Sequence, residues 1–274
     1  MRAVAAFTFK EALRRRLVLA AGVLTSAFLA LFGFVAHAAV AHAARDPLIG
    51  AAGGVAWAMV GVFLARSFSG LLAILVSVGA ISGEIESGSL QSVFVRPTRR
   101  SSVLFGKFLG YGVMLVCYTA ALQGAVLVVA WAATGVSVGR PWEVLGLLCL
   151  EPLVLLSLTL FGSTFLPTLA NGAAAVLLYG VCVIGGFIEQ IGALAGPRAL
   201  EQVGIVISLV LPADAMYRKA FSVVADQVAN PVLRQLLGPM GNVVAPSWAM
   251  VVYGVCYIVA LTTLAAWVVS RRDV

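Results

Sequence analysis

WAMVGVFLARSFSGLLAILVSVGAIS, residues 57–82, is a long apolar stretch in which Arg66 is the single charged residue. A helix rises about 1.5 Å per residue, so about 20 apolar residues cross a hydrocarbon core of roughly 30 Å. A helix also satisfies its own backbone hydrogen bonds inside lipid, whereas the strands of a membrane barrel would alternate apolar with polar residues. The stretch therefore predicts a membrane-spanning helix.

The composition extends this prediction to the whole chain. Of its 274 residues, 62% are hydrophobic and 11% are charged, and the mean hydropathy is +1.06. Soluble domains are nearer half apolar and a quarter charged, so the sequence predicts an integral membrane protein. The net charge of +7 does not indicate nucleic-acid binding, because the basic residues lie where membrane topology would place them.

Six apolar runs are long enough to cross a bilayer. They cover residues 17–40, 57–82, 105–133, 143–166, 172–190 and 247–270. The connections between them are short, with one exception, so we expect one all-α transmembrane domain over residues 1–274.

Lysine and arginine in the short connections predict the topology. They concentrate in residues 2–16, 96–107 and 271–272, and with six spans these regions lie on one side, which we assign to the cytoplasm. Both termini are then cytoplasmic, in a bacterial-type inner membrane. MRAVAAFTFKEALRRR, residues 1–16, predicts a helix over 2–16 that lies along the lipid interface, with its arginines meeting anionic headgroups.

The long connection, residues 191–246, contains a ten-residue apolar stretch, GIVISLVLPA, that is too short to span. We expect external helices there, interfacial or partly re-entrant; the alternative, an extra pair of crossings, fits the distribution of charge less well. Glu189, at the end of the fifth run, is expected near the outer interface.

ISGEIESGSLQSVFVRPTRR, residues 81–100, separates the second run from the third. Glu84 and Glu86 can stabilise the start of a helix over 84–96, and Pro97 ends it. Such a helix would expose Leu90 and Phe94 within a charged rim, which suits docking to a soluble partner. The alternative is an ordinary solvated loop, which accounts for the arginines but leaves the exposed apolar side chains unexplained.

The order of residues in this segment resembles the pattern E-x-G-[T/S]-L…P-x-S-R…G-K of the cytoplasmic loop of type-2 ABC transporter permeases. The matching residues are Glu86, Gly88, Ser89, Leu90, Pro97, Thr98, Arg100, Gly106 and Lys107. Arg99 stands where the family usually has serine. LPADAMYRKA, residues 211–220, resembles a stretch of the branch that includes the copper-maturation permease of nitrous oxide reductase.

The resemblance implies that the helix over 84–96 is a coupling helix held in a groove of an ATPase. Carried over, the contact residues are Glu84, Glu86, Gly88, Leu90 and Phe94, with Pro97 ending the helix and Arg100 at the cytoplasmic edge of the third span. It implies an exporter made of two permease copies, a homodimer, with two ATPase subunits. In the branch named above, a periplasmic accessory protein would join them.

The chain has no G-x-x-x-x-G-K-[ST] loop, because Gly106 and Lys107 lack both the upstream glycine and the following serine or threonine. It is therefore expected to bind no cofactor itself and to be no enzyme, with ATP and Mg²⁺ on the partner ATPase. No catalytic or metal-ligand pattern stands out. The alternatives are an ATP-independent transporter or channel, and a membrane scaffold for a maturation complex.

Arg66 and Glu151 are the ionisable residues set deep in the predicted spans, where charge is costly. Counting about 1.5 Å per residue places both roughly 12–14 Å below the outer surface. Three interpretations stay open: a structural ion bridge, a lining of the transport path, or no contact. If the two charges pair, the double variant Arg66→Glu with Glu151→Arg should recover the transport that either single change removes.

Overall fold

A computed structural model describes residues 8, 16–43, 47–83, 100–134, 139–196, 198–225 and 245–271 of the chain. Within these ranges the regular structure is helical throughout. The helices, numbered here in chain order, are α1 (Arg16–Ala43), α2 (Pro47–Ser77), α3 (Arg100–Thr134), α4 (Pro141–Gly162), α5 (Thr168–Ala195), α6 (Arg198–Val210), α7 (Ala213–Ala225) and α8 (Trp248–Arg271).

Six of these helices, namely α1 to α5 and α8, are long and apolar enough to cross a membrane. The all-α membrane fold and its six spans are thereby confirmed. The interfacial helix over 2–16 and the coupling helix over 84–96 fall almost entirely outside the described residues, as do residues 226–244.

Two spans end earlier than their apolar runs predict. α2 ends at Ser77 rather than near residue 82, and side chains of other helices bond to the carbonyls that follow it. Asn171 Nδ2 donates to the carbonyl of Val78 at 2.9 Å, and Lys107 Nζ donates to that of Ala80. α4 ends at Gly162, where the chain turns into α5.

α2 and α4 run parallel to each other through the centre of the bundle. Ser77 bonds to Thr159 near one end, and Met59 lies in one core cluster with Leu147 near the other. α5 runs antiparallel to α2, since Asn171 near its start bonds to the carbonyl of Val78 just beyond the end of α2, whereas Phe187 near its end contacts Phe63 of α2. Residues near the middle of α2, α4 and α5 therefore lie at one depth, which we call mid-depth.

α6 and α7 form a hairpin bent by 112°. α6 packs along α5, and the tip of the hairpin reaches the middle of that helix, where the Cys182 thiol donates to the carbonyl of Leu211 at 3.0 Å. α7 then returns against α4, with Ala213, Met216 and Ala220 fully buried. By length and composition the bent pair fits either one broken span or a re-entrant loop, so the partly re-entrant arrangement stays a prediction.

Glycines on the facing surfaces of α5 and α6 permit their close approach. A Cβ added at Gly185 would lie 2.5 Å from Cγ2 and 2.9 Å from Cβ of Ile207. Gly180, on the same helix, has nothing within 4 Å of an added Cβ.

Gly185→Ala should destabilise the protein, because overpacking a close contact costs about 1–3 kcal/mol. Gly180→Ala is the matched control and should melt no lower than the unmodified protein, since both changes bring the same gain in helix propensity. Melting temperatures in detergent, followed by tryptophan fluorescence, test this. Equal melting of the two variants would contradict the close packing of α6 on α5.

Candidate functional site

Arg66 lies near the middle of α2 and is 2% exposed. Its Nε is 3.1 Å from Glu151 Oε1 on α4, and its Nη1 donates to Asp214 Oδ1 on α7 at 2.8 Å. The guanidinium also lies 4.0 Å from the centroid of the Tyr217 ring, a cation–π contact. The structure thus brings Arg66 and Glu151 together and adds Asp214 as a second acid.

The ion pairs continue from Asp214 to α5. Arg218, one turn further along α7, donates from Nε to Asp214 Oδ2 at 2.8 Å. Its Nη2 donates to Glu189 Oε2 at 2.8 Å and to Ser208 Oγ at 2.9 Å. We call Arg66, Glu151, Glu189, Asp214 and Arg218 the charge cluster.

Every member of the charge cluster is between 1% and 7% exposed. An isolated charge in such surroundings costs several kcal/mol, and mutual attraction repays this only when geometry and hydrogen bonds are good. The cluster therefore constrains the fold. It joins α2, α4, α5 and α7, so it fixes how the hairpin sits against the spans.

The groups next to the cluster are also bonded. Tyr179 Oη donates to Glu151 Oε1 at 3.2 Å. The backbone N–H of Asp214 donates to Cys182 Sγ at 3.4 Å. The same thiol therefore bonds to the backbone on both sides of the hairpin tip. An added Cβ at Gly186 would overlap the Asp214 carboxylate, so a glycine is needed for this approach.

Two cavities border the charge cluster. One, of about 70 Å³, lies between α2, α5 and α7 and is lined by Phe63, Arg66, Val183, Gly186, Phe187, Gln190, Asp214, Tyr217 and Phe221. The other, of about 260 Å³, lies between α5, α6, α7 and the start of α8 and is lined by Glu189, Ile205, Ser208, Leu209, Ala215, Arg218, Pro246, Ser247 and Met250. Both combine apolar walls with cluster side chains, so each can take up water or a small polar group.

The sequence did not identify three members of the charge cluster as candidate site residues. Asp214 and Arg218 belong to a short, mixed segment, and Glu189 was expected in the wet interface, although it is 7% exposed and paired with Arg218. The spacing of Asp214 and Arg218, four residues apart as on one helix face, was the available signal. It could not show that this face turns into the bundle.

The predicted coupling residues are not placed by the structure. Outside the described residues lie Glu84, Glu86, Gly88, Leu90, Phe94 and Pro97. Arg100 is the first residue of α3, although its side chain is not described. Among the residues that are described, there is no group of three or more His, Cys, Asp or Glu side chains that could hold a metal ion.

Comparisons with known proteins bear on the chain as a whole. A family model described as "ABC-2 family transporter protein" matches residues 2–274. The "Probable ABC transporter permease protein NosY" of Stutzerimonas stutzeri is 35% identical over 106 residues. That stretch covers 38% of this chain and 36% of the relative.

The second acid changes the expected result of exchanging Arg66 and Glu151. Arg66→Glu with Glu151→Arg would leave the new glutamate against Asp214, so we expect a lower melting temperature. The loss should approach the 3–5 kcal/mol, roughly, of a broken buried pair. Adding Asp214→Asn to the double variant should recover stability, because it removes the repelling charge.

The surface pair of Arg140 and Glu143, in which Nη1 and Oε2 are 3.6 Å apart, provides the control; the arginine is exposed and the glutamate partly buried. Exchanging those two residues should change the stability by less than about 1 kcal/mol. If the variant in which Arg66 and Glu151 are exchanged had the same melting temperature as the unmodified protein, the sharing of Arg66 with Asp214 would be refuted.

Proposed function

The chain belongs to the ABC-2 family of transporter proteins, and on that premise we propose that it couples ATP hydrolysis by a separate ATPase to export of a substrate across the membrane. It is a membrane subunit of an ABC transporter rather than an enzyme. The observation that carries the proposal is the family match over residues 2–274, together with six helices able to span the bilayer.

We place the ATPase on a separate polypeptide, since residues 1–274 contain no phosphate-binding G-x-x-x-x-G-K-[ST] loop. ATP and Mg²⁺ are then bound by the ATPase. We propose two permease copies and two ATPase subunits, in a bacterial-type cytoplasmic membrane, with both termini of each permease in the cytoplasm. An accessory protein on the periplasmic face would complete the assembly if the resemblance of residues 211–220 to the copper-maturation branch extends to function.

The proposed docking element is the segment over 84–96, through Glu84, Glu86, Gly88, Leu90 and Phe94. What supports it is the resemblance of this segment to the coupling loop and its position between α2 and α3. Pro97 and Arg100 would then mark the return of the chain to the membrane.

The helix ends on both sides of this segment are tied to the bundle. Asn171 Nδ2 donates to the carbonyls of Val78 and Thr159, each at 2.9 Å, and Lys107 Nζ of α3 reaches the carbonyl of Ala80. Ser82 Oγ and Thr168 Oγ1 are 2.8 Å apart. These bonds connect the end of α2 to α3, α4 and α5, so a force applied at the docking segment would reach several spans together.

For the charge cluster we propose a structural role in the permease. It bonds the hairpin of α6 and α7 to α2, α4 and α5, and so holds α7 in place at mid-depth. A substrate path would pass through the two cavities that border the charge cluster, with the hairpin of α6 and α7 as part of the wall of that path.

Changing Glu86, Leu90 and Phe94 together to alanine should abolish co-purification of the ATPase. The reason is that apolar anchors at the centre of an interface carry most of its binding energy. The test co-expresses the permease with a candidate ABC ATPase from the same organism and measures how much ATPase is retained on the tagged permease.

Gln91→Ala with Ser92→Ala, in the same segment, is the matched control and should retain the ATPase. Both variants should elute as monodisperse protein from size exclusion, which separates lost docking from lost folding. Full retention of the ATPase by the triple variant would rule out this segment as the docking element.

A further inference from the structure

The charges of the charge cluster do not balance. It contains three carboxyl groups, on Glu151, Glu189 and Asp214, and two guanidinium groups, on Arg66 and Arg218. The ion pairs that the structure describes for these residues join them only to one another. With every carboxyl group ionised, the buried cluster would carry one surplus negative charge.

A surplus charge is costly at this place. The effective penalty for an uncompensated ion in a protein interior is several kcal/mol, and Glu151, which is 1% exposed, lines neither of the two cavities. The N-terminus of α7 offers partial compensation, because a helix dipole places roughly half a positive charge there. Asp214 lies in the first turn of α7, so this compensation acts mainly on Asp214.

The hydrogen bonds distinguish the three acids. Asp214 accepts a 2.8 Å bond from each of the two guanidinium groups. Glu189 lies 2.8 Å from both Nη1 and Nη2 of Arg218 and accepts a further bond from Ser208. Both are therefore well stabilised as carboxylates.

Glu151 is held more weakly. It accepts a 3.2 Å bond from Tyr179. Among the described residues its only close cation is Arg66, whose Nε lies 3.1 Å from Oε1 and which it shares with Asp214. Glu151 is 1% exposed.

No further positive charge faces Glu151 among the described residues. α2 contributes Arg66 alone, and α7 contributes Asp214 and Tyr217. Besides Tyr179, α5 brings the Cys182 thiol to this depth. The titratable groups that α3 and α8 bring to the surrounding core are the phenols of Tyr111, Tyr118 and Tyr257.

We propose that the charge cluster binds one proton at neutral pH and that Glu151 carries it. The proton comes from the surrounding water and forms an O–H bond on the Glu151 carboxyl group, which becomes a neutral acid. The cluster is then electrically neutral, with Asp214 and Glu189 as carboxylates and both guanidinium groups charged. The chain thus contains a proton-binding site in the middle of its helical bundle.

Asp214 competes with Glu151 for Arg66, and this competition leaves Glu151 short of positive charge. This inference does not depend on the ATPase or on the identity of a substrate.

Infrared spectroscopy tests the proposal without a substrate. The purified chain, in a maltoside detergent that has no ester carbonyl, should show the C=O stretch of a buried carboxylic acid at neutral pH, shifted in D₂O. Glu151→Gln should remove this band and leave the melting temperature unchanged, because glutamine has nearly the shape of the neutral acid.

Glu143→Gln is the matched control on the same helix. Glu143 lies beside Arg140 at the surface, so this variant should keep the acid band. Asp214→Asn should remove the band while Glu151 is still present, because the cluster is then balanced with Glu151 ionised.

Several outcomes would overturn the proposal. The first is the absence of an acid band from the unmodified protein, a result that needs no variant to fold. Persistence of the band in the Glu151→Gln variant would assign the proton to another residue. A large drop in melting temperature on Glu151→Gln would show that Glu151 acts as a carboxylate balancing Arg66.

Discussion

The guanidinium of Arg66, shared between Glu151 and Asp214, is the interaction on which the arrangement of this bundle depends. A charge at mid-depth needs partners within hydrogen-bonding distance, because neither lipid nor apolar side chains can solvate it. This requirement brings α2, α4 and α7 together in one register. From Asp214 the bonds continue through Arg218 to Glu189, so α5 is held by the same chain of charges.

The hairpin of α6 and α7 illustrates how small residues and polar bonds act together inside an apolar fold. Glycines let α6 approach α5 closely, and the Cys182 thiol bonds with the backbone on both sides of the tip. Without these contacts the break between the two helices would leave backbone groups unpaired at mid-depth, which is expensive in a membrane. The charge cluster holds α7 in a position where that helix lines both cavities.

The spans were predictable because each is a property of one continuous segment. The ends of the spans were harder to predict. α2 ends at Ser77, and the carbonyls that follow it accept bonds from Asn171 and Lys107, which are distant in sequence. Of the charge cluster, Arg66 and Glu151 could be singled out as charges within apolar runs. Asp214 could not, because it lies in a short segment of mixed polarity that has no apolar length to mark its depth.

By itself the sequence determined that the chain is a helical membrane protein with six spans, a basic side and the residue pattern of a permease loop. The length of an apolar run and the positions of charged residues are properties of one continuous segment, so the sequence shows them directly. Only the tertiary structure decided which buried charges meet. Arg66 and Asp214 are 148 residues apart, and their pairing follows from the close packing of α6 on α5 and the bend that returns α7 into the bundle.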